Sequence, residues 1–231
     1  MSHEWPNISP DIIEQKALEF LVEYHDQMAL PVAIPIEVEV IAEHYLGYDI
    51  EITNEGLFQD PSFLGGINFE DNVISVNASV EAHDGRYAFT IAHEIGHHVL
   101  HKDNFCANES PDRPLCREVG KKPLVESQAD RFAAALLMPE TIVKSTFEAL
   151  EDTSVPRTAG ALKGLASKMI LVGGFTNVSV SAMANRLIDC QLVPSSLSYQ
   201  SGTRRDFKYY KSLNIYNLKA FFRRFMSRFS S

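Results

Sequence analysis

The sequence predicts an α+β fold: a small antiparallel sheet packed on helices, followed by a helical C-terminal region. Apolar residues recur at three- and four-residue steps through Asp11–Met28, Tyr87–Leu100 and Leu124–Met138, as in helices with a buried face. Between the first two, the alternation in Tyr48–Ile52 and the β-branched and aromatic residues of Phe63–Ser79 read as strands. With 231 residues, 45% of them apolar, the chain can bury a core as one larger domain or a domain with a small appendage.

The first helix places Ile12, Ala17, Leu18, Leu21 and Val22 at helical spacing, with Asp11 as its N-cap, and Leu30-Pro31 breaks it. A short helix is expected over Val38–Tyr45, ending at Gly47. The Phe63–Ser79 segment is expected to form a hairpin around an Asp71-Asn72 turn. A Pro- and Cys-containing loop follows the Tyr87 helix from Asp103 to Pro123, and Pro139 ends the Leu124 helix. Residues 160–193 read as two helices around Gly173-Gly174. The expected organisation is a main domain over 1–150, a helical, helix-turn-helix-like region over 151–194 and a basic, aromatic tail over 195–231.

Charge and composition narrow the function classes. Charged residues make up 22% of the chain, too balanced a share for wholesale disorder. The start, MSHEWPNISP, lacks the basic-then-apolar pattern of a secretory signal, and no apolar run approaches the roughly 20 residues that span a bilayer. Three cysteines suit a reducing compartment better than a disulfide framework, so a cytoplasmic location is expected. Net charge is −9, yet the residues from Ser195 onward hold eight Lys/Arg against the single acid Asp206. The acidic body is a poor match for nucleic acid, and the basic tail is a separate question.

The stretch Ala92-His93-Glu94-Ile95-Gly96-His97 concentrates the chemistry. On a helix, residues i and i+4 share a face, so His93 and His97 can offer imidazole nitrogens to one ion. Glu94 is placed to take a proton from a water at that ion without ligating it. Catalytic zinc usually has three protein ligands, so a third is required. Asp103, six residues after His97, needs a sharp turn made by glycine, and Leu100 stands where that glycine would be. Glu126 is the better candidate, because it opens a second helical pattern in which Asp130 shares its face. Asp130 can then accept a hydrogen bond from a ligand histidine and fix its tautomer. His98 and His101 read as exposed or core-edge histidines rather than ligands. Zinc is the expected ion, with manganese open as the alternative.

The segments TIAHEIGHHVLH (Thr90 to His101) and ESQADRFAAALLMP (Glu126 to Pro139) resemble the ImmA/IrrE family of metallopeptidases. Fainter likeness extends over Ile12–Pro139 and into Val178–Leu187. The resemblance implies a thermolysin-like core with His93, His97 and Glu126 as ligands and Glu94 as base. It further implies a protein substrate, commonly a helix-turn-helix repressor whose cleavage releases stress-response or mobile-element genes. The alternative is a regulator that binds and inhibits a partner without cutting it. An extended substrate would add to an exposed edge of the Phe63–Ser79 hairpin.

Other features carry less. Cys106 and Cys116 flank the loop between the two ligand-bearing helices, and ordinary reduced thiols are a plainer reading than a redox switch. The Ser179–Gln191 helix offers only Arg186 as a base, which favours packing or docking over DNA reading. In the tail, Ile215, Leu218, Phe222, Phe225 and Phe229 alternate with Lys219, Arg223, Arg224 and Arg228. Such a basic amphipathic helix can dock on the chain itself, a partner, an anionic membrane or nucleic acid.

Overall fold

The computed structural model describes residues 5–106, 115–116, 124–150 and 156–197; the tail predicted beyond Ser195 falls almost wholly outside them. Helix α1 (Pro10–Met28) starts at Ser9, whose side chain accepts from the Ile12 N–H, with Pro10 in the first turn where its missing N–H costs nothing. Asp11 is therefore a first-turn acid, not the cap. The buried face is also turned from the expected one. Ile13, Ala17, Phe20, Leu21 and Tyr24 face inward, whereas Ile12, Leu18 and Val22 are exposed. Aromatic neighbours decide this: Phe20 packs edge-on against Tyr45 and Phe132, and Tyr24 against Tyr45.

Helix α2 (Val38–Val40) continues as a π-helical turn, Ile41–Tyr45, and the chain reverses at Gly47, whose φ of +73° suits glycine. Strands β1 (Asp49–Thr53), β2 (Gly65–Asn68) and β3 (Val73–Asn77) follow, with a two-residue β4 (Leu115–Cys116). The hairpin turn lies where the sequence put it. Asn72 takes a φ of +53°, and the Asn68 carboxamide oxygen accepts from the N–H groups of Glu70 and Asp71.

The sheet order is β1-β3-β2-β4, and β1 pairs parallel with β3, so the sheet is mixed rather than antiparallel. The tight turn forces β2 and β3 to be antiparallel, and β1 then adds to the far side of β3 in register Ile50 to Ile74. The outer edge of β2 is taken by β4 at Gly66 and Ile67. The hairpin therefore has neighbours on both sides, and the edge expected for a substrate strand is occupied at those positions.

Short α3 (Ala78–Glu81), capped by Asn77, leads into α4 (Asp84–Cys106), then come α5 (Leu124–Leu137) and α6 (Glu140–Ala149). Pro139 ends α5 as expected, but it is also the N-cap of α6. Residues 90–97 of α4 are all buried, so this helix runs through the core with the sheet, α2 and α5 around it. Helices α7 (Ala159–Gly173) and α8 (Val180–Asp189) are capped by Thr158 and Ser179, with Gly174 closing α7 in the left-handed region. Among the described residues, no helix is long and apolar enough to cross a membrane.

Candidate metal centre

The close approach of α4 and α5 assembles the centre. A Cβ on Gly96 would stand 3.1 Å from the Ala129 carbonyl oxygen and 3.2 Å from its Cα, so the missing side chain lets the two backbones nearly touch. This crossing brings His93 beside Glu126, 33 positions away in the chain.

His93 Nε2 lies 3.0 Å from His97 Nε2 and 3.2 Å from Glu126 Oε2, and His97 Nε2 lies 3.3 Å from Glu126 Oε1. Among the described residues, these three form the group of His, Cys or acidic side chains able to hold one ion. All are buried, at 0%, 1% and 6% exposure.

The far side of each imidazole is also held. His93 Nδ1 is 2.8 Å from Asp130 Oδ1. A carboxylate accepts, so Nδ1 carries the proton and Nε2 is free to point a lone pair inward. His97 Nδ1 is 3.1 Å from His101 Nδ1. Burial pushes the His97 imidazole down to about 4, with hydrogen bonding to Glu126 opposing it, so the ring is neutral near pH 7. Burial also lowers His101, against the opposing effect of its hydrogen bond with Gln128. For Glu126, burial alone would push the carboxyl up. A proton lying between it and His93 or His97 lets the imidazole donate to it, which outweighs burial and holds the group well below the usual carboxylate range.

The donor set fits a metal ion. Ligand atoms arranged tetrahedrally at about 2.0–2.1 Å from a zinc ion stand about 3.3 Å apart, close to the three separations here. Two imidazole nitrogens with protons fixed on their far sides, together with a carboxylate, present lone pairs to one another. Only protons or a cation can sit between them, and the two compete for the same atoms.

Glu94 is fully buried and lies against β2. A Cβ on Gly65 would fall 2.8 Å from Glu94 Oε1 and 2.4 Å from the Thr90 methyl, closer than real contacts allow. Gly65 thus leaves the space in which Glu94 sits, a role that neither helical motif signals. The Gly65-Gly66 pair in a strand was its only signal.

The other expected residues divide. Asp103 is exposed, because α4 runs straight through Leu100 to Cys106 without the turn that would bring it back. His98 is half-buried, and its Nδ1 lies 2.8 Å from the Tyr48 hydroxyl. His101 is a correction: instead of an exposed or edge position it is fully buried against His97, with Gln128 on its other side. Its i+4 spacing from His97 was the available signal. Arg186 is 3% exposed, donates to the Met138 carbonyl and pairs with Glu14, so it ties α8 to α1 and to the end of α5. The side chains of Cys106 and Cys116 lie outside the described residues. Cys190 is a buried free thiol.

Comparison with known proteins gives the family. Residues 48–187 match the peptidase M78 family, described as the IrrE N-terminal-like domain. The chain is also similar to the radiation response metalloprotease IrrE of Deinococcus radiodurans, 33% identical over 89 residues. That match covers 38% of this chain and 26% of the relative, so the chain spans about a quarter of that protein's length. A match over more than half the chain, containing His93, Glu94, His97, Glu126 and Asp130, places it: the chain belongs to the peptidase M78, IrrE N-terminal-like family.

Proposed function

We propose that the chain is a zinc-dependent endopeptidase of the cytoplasm that cleaves a protein substrate, a helix-turn-helix repressor being the substrate class implied by the family resemblance. One observation carries the proposal: two buried imidazoles and a carboxylate converge at 3.0–3.3 Å in the core, with both imidazoles held from behind. His93, His97 and Glu126 are the proposed ligands, and Asp130 orients His93. Zinc, or manganese in its place, supplies Lewis-acid chemistry when bound, polarising a peptide carbonyl and acidifying a water.

The chain's own residues do the rest. Glu94 takes the proton of the attacking water on its carboxylate and returns it to the departing amide nitrogen. The bare Cα of Gly65 gives Glu94 room to lie against the strand. The core follows the thermolysin-like plan, with residues 1–150 as the catalytic part. Helices α7 and α8 act as a buttress, a role supported by the tie from Arg186 to Glu14 and Met138.

Candidate repressors encoded beside the gene, incubated with the wild type and with Glu94→Gln, test the activity. Cleavage by the wild type and a loss of about 10²–10⁴-fold in the variant is expected. Equal cleavage by both would remove Glu94 from the mechanism. Tight binding of a neighbour without cleavage by either would favour the non-proteolytic alternative.

A further inference from the structure

We propose that the N-terminal segment at Trp5-Pro6 is a positioning element of the ion site, tied to His97 through His101 and Gln128, so that ion binding and seating of that segment strengthen each other. This rests on reading His93, His97 and Glu126 as an ion site.

The direction of every hydrogen bond follows from the outermost group. The Pro6 carbonyl can only accept, and Gln128 Nε2 donates to it at 2.8 Å. Gln128 Oε1 therefore faces inward, 2.9 Å from His101 Nε2, and His101 must donate there. A neutral His101 with its proton on Nε2 has an acceptor at Nδ1, and His97 Nδ1 lies 3.1 Å away as the donor. With that proton fixed, His97 Nε2 has a lone pair directed at His93 and Glu126. Turning the Gln128 amide over would place a donor against His101 and an acceptor against Pro6, reversing the requirement at each step.

His97, His101 and Gln128 are 1%, 0% and 3% exposed, so bulk water does not stand in for a broken link. Trp5 packs edge-on against His101, centroids 5.7 Å apart at 78°, which places the segment on the same relay. His93 needs no such arrangement, because the Asp130 carboxylate accepts through either oxygen. A coupling of this kind is reciprocal: whatever factor seating adds to ion affinity, the ion adds to seating.

Trp5 is the chain's single tryptophan, so its emission reports the segment without a label. The full chain, stripped of metal, is titrated with zinc in chelator buffers while zinc affinity and Trp5 emission are recorded together. In the wild type, emission is expected to move with a single-site zinc isotherm. Gln128→Leu breaks both links and is expected to weaken zinc binding about tenfold and to abolish the emission change. Gln128→Glu retains an acceptor for His101 that needs no orienting, but has no donor for Pro6. It is expected to hold zinc as the wild type does while losing the emission change, and it decides the matter if Gln128→Leu fails to fold. Unchanged zinc affinity in a folded Gln128→Leu, wild-type emission indifferent to bound zinc, or a full emission response in Gln128→Glu would each overturn the relay. A wild type that takes up no zinc would overturn the ion site itself, and the relay with it.

Discussion

Two regions of this chain bury polar side chains to different ends. Around α4 and α5, His93, Glu94, His97, His101, Glu126 and Gln128 are all buried, and the bonds that link the three histidines with Glu126 and Gln128 lead to one centre. In α8, Arg186 is the buried charge, and its bonds run outward to Glu14 and Met138 on other elements. Burying such groups is costly in both places. In the first the arrangement presents lone pairs, which suits ligand chemistry; in the second each guanidinium nitrogen donates to another element. Loss at the first should impair chemistry with little change in stability, and loss at the second the reverse.

Among residues that support the two regions, the largest expected effect is at Gly65. Gly65→Ala forces Thr90 or Glu94 to move, and a shift near 1 Å in the base lowers cleavage by about 100-fold. Bound metal, measured by elemental analysis, is expected to stay at the wild-type level. If metal is lost as well, Gly65 supports the whole centre rather than the base.

Next is Asp130→Asn, which replaces a carboxylate behind His93 with an amide whose oxygen is a weaker acceptor. Zinc affinity is expected to fall about 10- to 100-fold with the melting temperature nearly unchanged. An unaltered affinity would mean that His93 is held by packing alone.

Arg186→Met is the converse. It strands the Met138 carbonyl and one side of Glu14, and it should cost about 2 kcal/mol, since Glu14 is exposed enough to regain water. Thermal unfolding is expected about 4–8 °C lower, with zinc affinity preserved. A large loss of zinc affinity would erase the distinction between the two regions.

The smallest effect lies at alkaline pH. Burial raises the Cys190 thiol from 9.0 to about 11, and burial followed by the charge of Glu39 raises Tyr87 from 10.0 to about 12. Both folded pKa values are raised, so the folded state opposes ionisation. Their contribution is whole below pH 9 and lost as pH climbs through about 11 and 12. The melting temperature should therefore hold to about pH 9 and decline above it. A decline that begins well below that window would point to other groups.

What could be foreseen from the residues follows the range of the interactions. His93 with His97, and Glu126 with Asp130, are i and i+4 pairs, and helical geometry alone puts each pair on one face. The Asn72 turn is equally local. The parallel partner of β1 depends on a strand more than twenty residues away, and nothing in Asp49–Thr53 itself names it. On α1, the aromatic rings of Phe20 and Tyr24 outcompeted the smaller Leu18 and Val22 for the core, through contacts with Tyr45 and Phe132 that single-helix periodicity does not contain. His101 was visible as a third histidine at four-residue spacing, but its role depends on Gln128 and Pro6, the latter 122 positions from Gln128.

The most direct test of the central claim is the metal content of the purified full chain beside Glu126→Gln and His97→Gln, by native mass spectrometry and elemental analysis after exchange into chelator-free buffer. One zinc, or one manganese, is expected per wild-type chain, with strongly reduced occupancy in both variants and all three proteins folded. A folded wild type that takes up no metal, or variants that retain it in full, would contradict the assignment of His93, His97 and Glu126 as one ion site.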